Sequence, residues 1–399
     1  MSNVLLCLKI SMKNKEKVNE VKNTKRALTA LLLAAALTVC GLTGCNSEES
    51  TDSKNSGNAT SAASGTDSNS SGDHPLEKTS LNIGYLNSTA HLLAFVAQEE
   101  GYFAEEGFTD VNLIQTDQTM LASLEAGKFD MALMGALSAQ IYQSQGSDIT
   151  IFAGAMTNGH GYVIKSEYTG GKDNLGVEVL KGRNVASVKN SVMDYELRVL
   201  LKNANIEVGE GKDKVNIVYF ANMNDAFAAL KGNNIDSACV YTPFASLAKS
   251  QGYNVVFYCS DEEALQNQPC CRQVASTKFF KENPNYFYHL ERAMLKAYKF
   301  SQENEEKTIQ DIKKYIDIDE SQINVEVYGG YSWSNPDPDK QACVQQKNDL
   351  LEFGYMEKDY DLEKLFDTEI YSEALDSLIA ENPDDKIYKE QKEHFDKYE

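Results

Sequence analysis

The sequence predicts an α/β protein built from two similar lobes and a helical C-terminal segment. From residue 80 onward, short apolar strands alternate with helical segments, as in doubly wound sheets. One local pattern occurs twice: LEAGKFD at residues 124–130 and LKGNNID at residues 230–236 each end a helix at a glycine and begin a buried strand at an aspartate. After about residue 286 the chain is mostly helical. Two lobes of similar plan explain these features together.

The N-terminus has the features of an export signal. Basic residues cluster between residues 13 and 26, and the apolar run at residues 27–42 is short for a membrane span. The run ends in Leu42-Thr43-Gly44-Cys45, which resembles the lipobox of bacterial lipoproteins. We therefore expect a signal peptide over residues 1–44 and lipidation of Cys45. The alternative is a signal peptide that contains Cys45 incidentally.

The segment after Cys45 is rich in Ser, Asn, Gly and Thr and nearly devoid of apolar side chains. Such a composition cannot form a core, so residues 45–78 are predicted to be a flexible tether. The protein would then be held at the extracytoplasmic face of the cell membrane by its lipid anchor alone.

Charge excludes one class of partner. The chain contains 59 acidic and 38 basic side chains, and seven of the basic ones lie in the predicted signal peptide. A surface this acidic repels nucleic acid, so no nucleic-acid partner is expected.

The first lobe is predicted to begin with the strand LNIGYL at residues 81–86, followed by a helix from His91 to Glu105. Further strands are predicted at residues 111–114, 129–134, 149–155 and 162–165, with a helix at residues 120–126. The later helices carry too little apolar surface to fold alone, so we expect them to pack on this lobe. Lobe one is accordingly assigned to residues 79–172 with 265–399.

Lobe two is assigned to residues 173–264. Its predicted elements are strands at residues 184–188 and 215–220 and a helix at residues 192–201.

Six segments, in this order, resemble the substrate-binding lipoproteins of ABC importers, in the branch that includes sulfonate-, taurine-, nitrate- and thiamine-precursor-binding proteins. The resemblance covers about residues 80–375 and implies a type II periplasmic-binding fold, in which two lobes on a hinge close over a ligand. The segments are LNIGYL, AQEEGYFAEEG at residues 97–107, LEAGKFDMALMG, GRNVASVKNSV at residues 182–192, LKGNNIDSACVYTPF, and FFKENPN at residues 279–285.

Ligands of open α/β sheets bind beyond the carboxyl ends of strands, so the implied fold places the site in the loops there. The candidate ligand-binding residues are Asn87, Thr89, His91, Gln118, Gly135, Ser138, Asn158, His160, Asn190, Ser191, Tyr241 and Trp333. Several have a second interpretation. The histidines could cap a helix or turn, Asn190 and Ser191 could form an ordinary helix N-cap instead of an anion site, and the aromatic rings could fill the core.

The stretch QPCCRQ at residues 268–273 falls where the chain leaves lobe two and re-enters lobe one. Arg272 is predicted to face the cleft and bind a carboxylate or sulfonate, with a salt bridge across the hinge as the alternative. Because neighbouring side chains on a strand point to opposite faces, Cys271 is expected to line the cleft while Cys270 packs inward. A vicinal disulfide or a soft-metal site remains open.

The resemblance implies the solute-binding component of an ABC importer. Such a protein captures a small anionic or zwitterionic organic solute by hinge closure and delivers it to permease and ATPase subunits. We expect a monomer without a catalytic role, cofactor or metal. Two alternatives are a pyrimidine-synthase-like enzyme on the same fold and a surface adhesin lipoprotein. The enzyme is disfavoured because no histidine adjoins the cysteine pair in sequence and because the chain is exported.

Overall fold

The computed structural model describes residues 74–117, 119–232 and 234–399. The predicted signal peptide, Cys45, most of the predicted tether and Gln118 lie outside these residues. Within them, two β-sheets and the surrounding helices belong to one compact unit.

The first sheet contains six strands. They are β1 (Ser80–Tyr85), β2 (Asp110–Gln115), β3 (Met131–Gly135), β4 (Ile149–Asn158), β10 (Pro269–Ser276) and β11 (Ser332–Ser334), in the order β11-β4-β10-β3-β1-β2. Strand β1 is parallel to β2 and β3, whereas β10 is antiparallel to β3 and β4. The antiparallel strand follows from the topology, because β10 enters this sheet from the second one.

The second sheet contains five strands. They are β5 (His160–Ile164), β6 (Asn184–Val188), β7 (Asn216–Phe220), β8 (Ser237–Tyr241) and β9 (Asn254–Tyr258), in the order β7-β6-β8-β5-β9. Strand β6 is parallel to β7 and β8, and β5 is antiparallel to β8 and β9. The two sheets therefore follow a similar plan, as the repeated sequence pattern predicts.

Helices lie along both sheets. They are α1 (Leu92–Glu99), α2 (Tyr102–Glu105), α3 (Met120–Glu125), α4 (Ala136–Ser144), α5 (Val192–Asn203), α6 (Met223–Lys231), α7 (Phe244–Ser250), α8 (Thr277–Glu282), α9 (Pro284–Glu303), α10 (Glu305–Lys313), α11 (Glu320–Tyr328), α12 (Lys340–Glu352), α13 (Glu369–Glu381) and α14 (Lys386–Tyr398). None of the helices among the described residues has the length and apolar character that crossing a membrane requires.

The C-terminal helices pack on the first sheet, as predicted. Phe152 of β4 contacts Phe287 of α9 edge to face, with 4.9 Å between ring centroids. Tyr371 of α13 and Phe395 of α14 belong to the same apolar cluster. Burying this much aromatic surface is worth several kcal/mol, which the helices could not obtain by themselves.

The predicted helix from His91 to Glu105 is interrupted. Gly101 has a φ of 80° and separates α1 from α2. A left-handed residue cannot continue a right-handed helix, so the apolar periodicity runs across two helices here.

The chain crosses between the sheets at two adjacent places. The first crossing is Asn158-Gly159, where both residues have positive φ (58° and 87°). The second is the segment that ends at Gln268. The backbone N–H of Asn158 donates to the Gln268 carbonyl (2.9 Å), and the Gln268 N–H donates to the Asn158 side chain (3.1 Å). Asn158, a predicted ligand residue, thus ties the two crossings together.

Arg272 occupies a different place from the one predicted. Its side chain is fully buried, and its guanidinium donates to the carbonyls of Met156, Cys271 and Pro338. It also forms an ion pair of 2.8 Å with Asp339. The guanidinium fastens the segment before α12 to the first sheet and is not presented to a ligand. Its partner lies in the C-terminal segment, so the alternative of a salt bridge across the hinge is also wrong.

Asp337 lies beside this ion pair, and its carboxyl group has a raised pKa. One carboxylate oxygen accepts from the backbone N–H of Asp339 (2.8 Å), while the other is buried without a hydrogen-bond partner among the described residues. Burial, together with the nearby Asp339 carboxylate, raises the pKa of Asp337 to about 7.

We expect Arg272→Met to lower the free energy of unfolding by about 3 kcal/mol or more, because it leaves the buried Asp339 carboxylate without its strongest partner. Urea denaturation measures this value. The control is Lys278→Met, which removes an exposed cation from a surface pair and should change stability by about 0.5 kcal/mol or less. A loss for Arg272→Met as small as that of the control would contradict the structural role.

Asp337→Asn tests the raised pKa. The folded protein holds the Asp337 proton more tightly than the unfolded chain does, so this group favours folding below pH 4 and loses that contribution as pH rises to about 7. The amide mimics the protonated acid, so the variant should gain stability relative to the parent at neutral pH. Equal gains at pH 4 and pH 8 in urea titrations would argue against the shift.

Candidate functional site: the cleft between the two sheets

A pocket of about 190 Å³ lies between helix α4, which follows β3, and the turn after β6. Ser138 and Tyr142 of α4 line one side, and Lys189, Asn190 and Ser191 line the other. The pocket therefore has walls from both sheets, at the carboxyl ends of their strands. Three of the predicted ligand residues, Ser138, Asn190 and Ser191, meet here.

The turn after β6 has a defined geometry. Asn190 adopts a left-handed conformation with φ of 60°, which asparagine tolerates better than most residues. Its carbonyl accepts a hydrogen bond from Ser138 Oγ (3.3 Å), which links the two walls. Ser191 caps helix α5: its Oγ accepts from the Asp194 N–H (3.3 Å) and donates to the Val188 carbonyl (2.7 Å). The N-cap interpretation of Ser191 therefore holds in this structure.

Lys189 gives the pocket its positive charge. Its side chain is exposed, and it forms no ion pair with another described residue. The N-terminus of the 12-residue helix α5 follows directly and adds a partial positive charge. On a chain this acidic, a free cation beside a helix N-terminus makes the pocket locally attractive to anions.

Beyond the pocket, the two sheets touch directly. Ser88 Oγ donates to the Thr242 carbonyl (2.8 Å), and the hydroxyls of Thr89 and Thr242 are hydrogen-bonded to each other. Thr242 follows β8, while Ser88 and Thr89 follow β1. These contacts hold the cleft closed at this point. The predicted ligand residue Asn87 is half-buried immediately before them, and Tyr241 is half-buried with its ring against Phe244.

Both cysteine side chains of QPCCRQ lie on the same side of the strand, contrary to the expectation that they point to opposite faces. Their sulfur atoms are 3.3 Å apart, and both residues are buried. The reason is a β-bulge: the register of β10 against β4 shifts on both sides of Cys271. A bulge inserts one extra residue and breaks the alternation of side chains. On the other flank Cys271 pairs with Gly135, the predicted ligand residue that ends β3 and directly precedes α4.

His160 connects the cysteine pair to the second sheet. Its Nε2 lies 3.2 Å from Cys270 Sγ, and its Nδ1 lies 3.0 Å from the carboxylate of Glu196 in α5. Glu196 also accepts a hydrogen bond from the Cys259 thiol (3.2 Å). The Cys270 thiol, the His160 imidazole and the Glu196 carboxylate are therefore linked one to the next by these contacts. This arrangement resembles the order of groups that activates a nucleophile.

His91 approaches the same pair from the first sheet. Its Nδ1 accepts from the Leu86 N–H (3.0 Å), so in the neutral ring the hydrogen is on Nε2. That Nε2 is buried without a hydrogen bond of ordinary geometry among the described residues. His91 lies close enough to Cys271 to favour its thiolate.

The surroundings shift the pKa values of the two thiols in opposite directions. A hydrogen bond from the Cys270 thiol is the main cause that holds the pKa of Cys271 well below its ordinary value, although burial opposes the shift. His91 and His160 act in the same direction. The same hydrogen bond, together with burial, raises the pKa of Cys270. Burial lowers the pKa of His160, but the Glu196 carboxylate outweighs it, so that the pKa of His160 is raised overall.

Trp333 lies away from these groups. It is on β11, opposite Thr157, and its ring meets His394 of α14 edge to face at 5.0 Å between centroids. The structure therefore places this half-buried ring against the C-terminal helix.

Glu196 was not among the residues selected from the sequence, although a signal was present. It occupies a position between Val192 and Leu200 on the apolar face of α5, where a carboxylate is unusual. A charged residue on a buried face is a sign of a specific partner, which here is His160.

One group of three described side chains has ligand atoms close enough to hold a metal ion: Asp337, Asp339 and His394, whose atoms lie within 4.8 Å of one another. Arg272 and His394 already contact Asp339, so we assign this group to the structural ion-pair network described above.

Solved structures with the same fold include three binding proteins. The periplasmic nitrate-binding protein NrtA from Synechocystis PCC 6803 has a TM-score of 0.66 and 18% identity, covering 76% of this chain and 90% of its own. The ligand-binding component of an ABC-type import system from Staphylococcus aureus, with zinc bound, has a TM-score of 0.63 and 15% identity, covering 74% and 99%. The alkanesulfonate-binding protein SsuA from Xanthomonas axonopodis pv. citri, bound to MOPS, has a TM-score of 0.62 and 14% identity, covering 74% and 100%.

These similarities confirm the type II periplasmic-binding fold that the sequence resemblance implies. No curated protein sequence matches the chain. A family model described as the NMT1-like family matches residues 74–316, which is more than half of the sequence. The chain therefore belongs to the NMT1-like family.

Proposed function

We propose that this protein is the extracytoplasmic solute-binding component of an ABC importer. The observation that carries the proposal is the pocket with one wall on each sheet, formed by Ser138 and Tyr142 against Lys189, Asn190 and Ser191. A solute held there contacts both halves of the protein. It would therefore favour the closed arrangement by its differential contacts, without chemical change to the solute.

The pocket also indicates the class of solute. Its volume of about 190 Å³ is below the range of roughly 300–1,000 Å³ that drug-sized ligands occupy. Lys189 and the N-terminus of α5 favour a negative group, and the Ser138 hydroxyl and Phe220 offer one polar and one apolar contact. We propose a small anionic or zwitterionic organic solute, of the sulfonate, nitrate-like or thiamine-precursor-like kind.

The remaining parts of the proposal come from the sequence. Cys45 would carry the lipid that holds the protein at the cell membrane, and the solute would pass to permease and ATPase subunits. Binding would involve a monomer and no cofactor. The structural relatives that are named as binding components support this assignment.

A solute screen tests the function. Purified protein is heated with alkanesulfonates, taurine, nitrate, amino acids and aminopyrimidines, and thermal unfolding is followed. A true solute present at 100 times its Kd stabilises the folded state by about 2.7 kcal/mol, which raises Tm measurably. Mass spectrometry under native conditions identifies any molecule that co-purifies. If no compound of these classes stabilises the protein and none is retained, the proposed function is wrong.

Lys189→Gln tests the anion preference. Removal of one partly exposed charge should weaken binding of an anionic solute by about 1 kcal/mol, or about fivefold in Kd. The matched control is Lys172→Gln, another exposed lysine outside the lining of the pocket. Isothermal titration calorimetry at two salt concentrations compares them. Equal affinities for the two variants would place the anion elsewhere.

A further inference from the structure

We propose that Cys270 and Cys271 form a redox-active dithiol that reduces low-molecular-weight disulfides entering the cleft, with His160 as the base that deprotonates Cys270. The inference concerns a group that the proposed solute pocket does not include. It stands on the bulge that brings the two sulfurs together and on the Cys270-His160-Glu196 alignment.

The bulge creates the reactive pair. Adjacent cysteines on a regular strand would lie on opposite faces, yet here the sulfurs are 3.3 Å apart. A disulfide requires an approach to about 2.05 Å, so the two sulfurs must still move closer by rotation about side-chain and backbone bonds. Because the second thiol lies beside the first, it can displace the leaving group of a mixed disulfide without a second molecule.

The surroundings assign different roles to the two sulfurs. The hydrogen bond between the two sulfurs, with His91 nearby, holds the pKa of Cys271 well below its ordinary value, so Cys271 is the thiolate and the attacking nucleophile. Cys270 keeps its proton and has His160 Nε2 at 3.2 Å. Glu196 holds the opposite ring nitrogen at 3.0 Å, which leaves Nε2 of the neutral ring free to accept that proton.

The reaction has two steps. The Cys271 thiolate attacks one sulfur of a disulfide RSSR, forming a Cys271–SR bond and releasing RS⁻. Cys270 then gives its proton to His160, and its thiolate attacks Cys271. This second attack forms the Cys270–Cys271 bond and releases the other RS⁻. Two electrons pass from the dithiol to RSSR, which is the only oxidant.

A metal site fits these residues less well. Because His91 Nδ1 accepts from the Leu86 N–H, its Nε2 carries the hydrogen and cannot ligate a metal without losing that bond. In addition, the one three-residue group of mutually close metal-ligand atoms in the described part of the chain contains no cysteine.

A disulfide can reach Cys270 and Cys271 only when the cleft between the two sheets is open. Cys270 is 4% and Cys271 is 6% exposed while the sheets are closed on each other. The disulfide must enter when the cleft opens, and in this respect the inference rests on the proposed function. The other three cysteines of the described residues, Cys239, Cys259 and Cys343, are also buried and free.

The experiment uses the reduced protein with Cys7, Cys40 and Cys45 replaced by serine, and hydroxyethyl disulfide as the probe. Released thiol is quantified, and intact mass and peptide mapping locate the product. We expect two thiols released per protein, a mass loss of two hydrogens, and a bond between residues 270 and 271. Cys271→Ser should release none, whereas Cys270→Ser should stop after one thiol and retain a mixed disulfide on Cys271. Cys343→Ser is the control and should behave as the parent.

The role of His160 has a separate readout. In His160→Gln the first thiol should appear at close to the parental rate, while the second step slows by about tenfold or more and loses its dependence on imidazole ionisation. Equal slowing of both steps would indicate a merely structural role.

Three results would overturn the proposal: no thiol release from the folded parent, modification at another cysteine, or a tightly bound metal that blocks the pair in the purified protein. The solute screen on the Cys270→Ser/Cys271→Ser variant keeps the two hypotheses apart. Solute binding that survives in this variant shows that failure of the thiol chemistry leaves the receptor function intact.

Discussion

The double crossing between the sheets is the constraint on which the rest of the structure depends. Asn158 and Gln268 are joined by two hydrogen bonds at the point where the chain leaves and re-enters the first sheet. His160 lies two residues after Asn158, and Cys270 two residues after Gln268. His160 and the cysteine pair are therefore placed by the same junction. The two walls of the pocket follow the carboxyl ends of β3 and β6.

Much of the fold follows from local patterns in the sequence. Strands such as LNIGYL show an alternation that any sheet of this kind preserves, and the helix at residues 192–201 shows its apolar face directly. The division into two sheets follows from the repeated leucine-glycine-aspartate pattern. By contrast, the break at Gly101 depends on one backbone angle, and the apolar periodicity continues across it.

The site is less predictable because its geometry arises from pairing between distant segments. Ser138, Asn190 and Ser191 come together as strand ends predict. The positions of Cys270 and Arg272 differ from those predicted, because the register shift of β10 against β4 breaks the alternation of side chains along the strand. The ion pair of Arg272 with Asp339 joins residues 67 apart in sequence. No local sequence pattern indicates that the Arg272 guanidinium pairs with the buried Asp339 carboxylate and not with a ligand.

Helix α12 packs against α4 beside the first sheet and against α5 beside the second. The Tyr195 hydroxyl of α5 donates to Asp349 (2.7 Å), and an apolar cluster joins Leu137, Val192 and Leu350. Any separation of the two halves must break this second set of contacts on the far side of the pocket. The C-terminal segment thus adds to the free energy that is needed to separate the two halves of the protein.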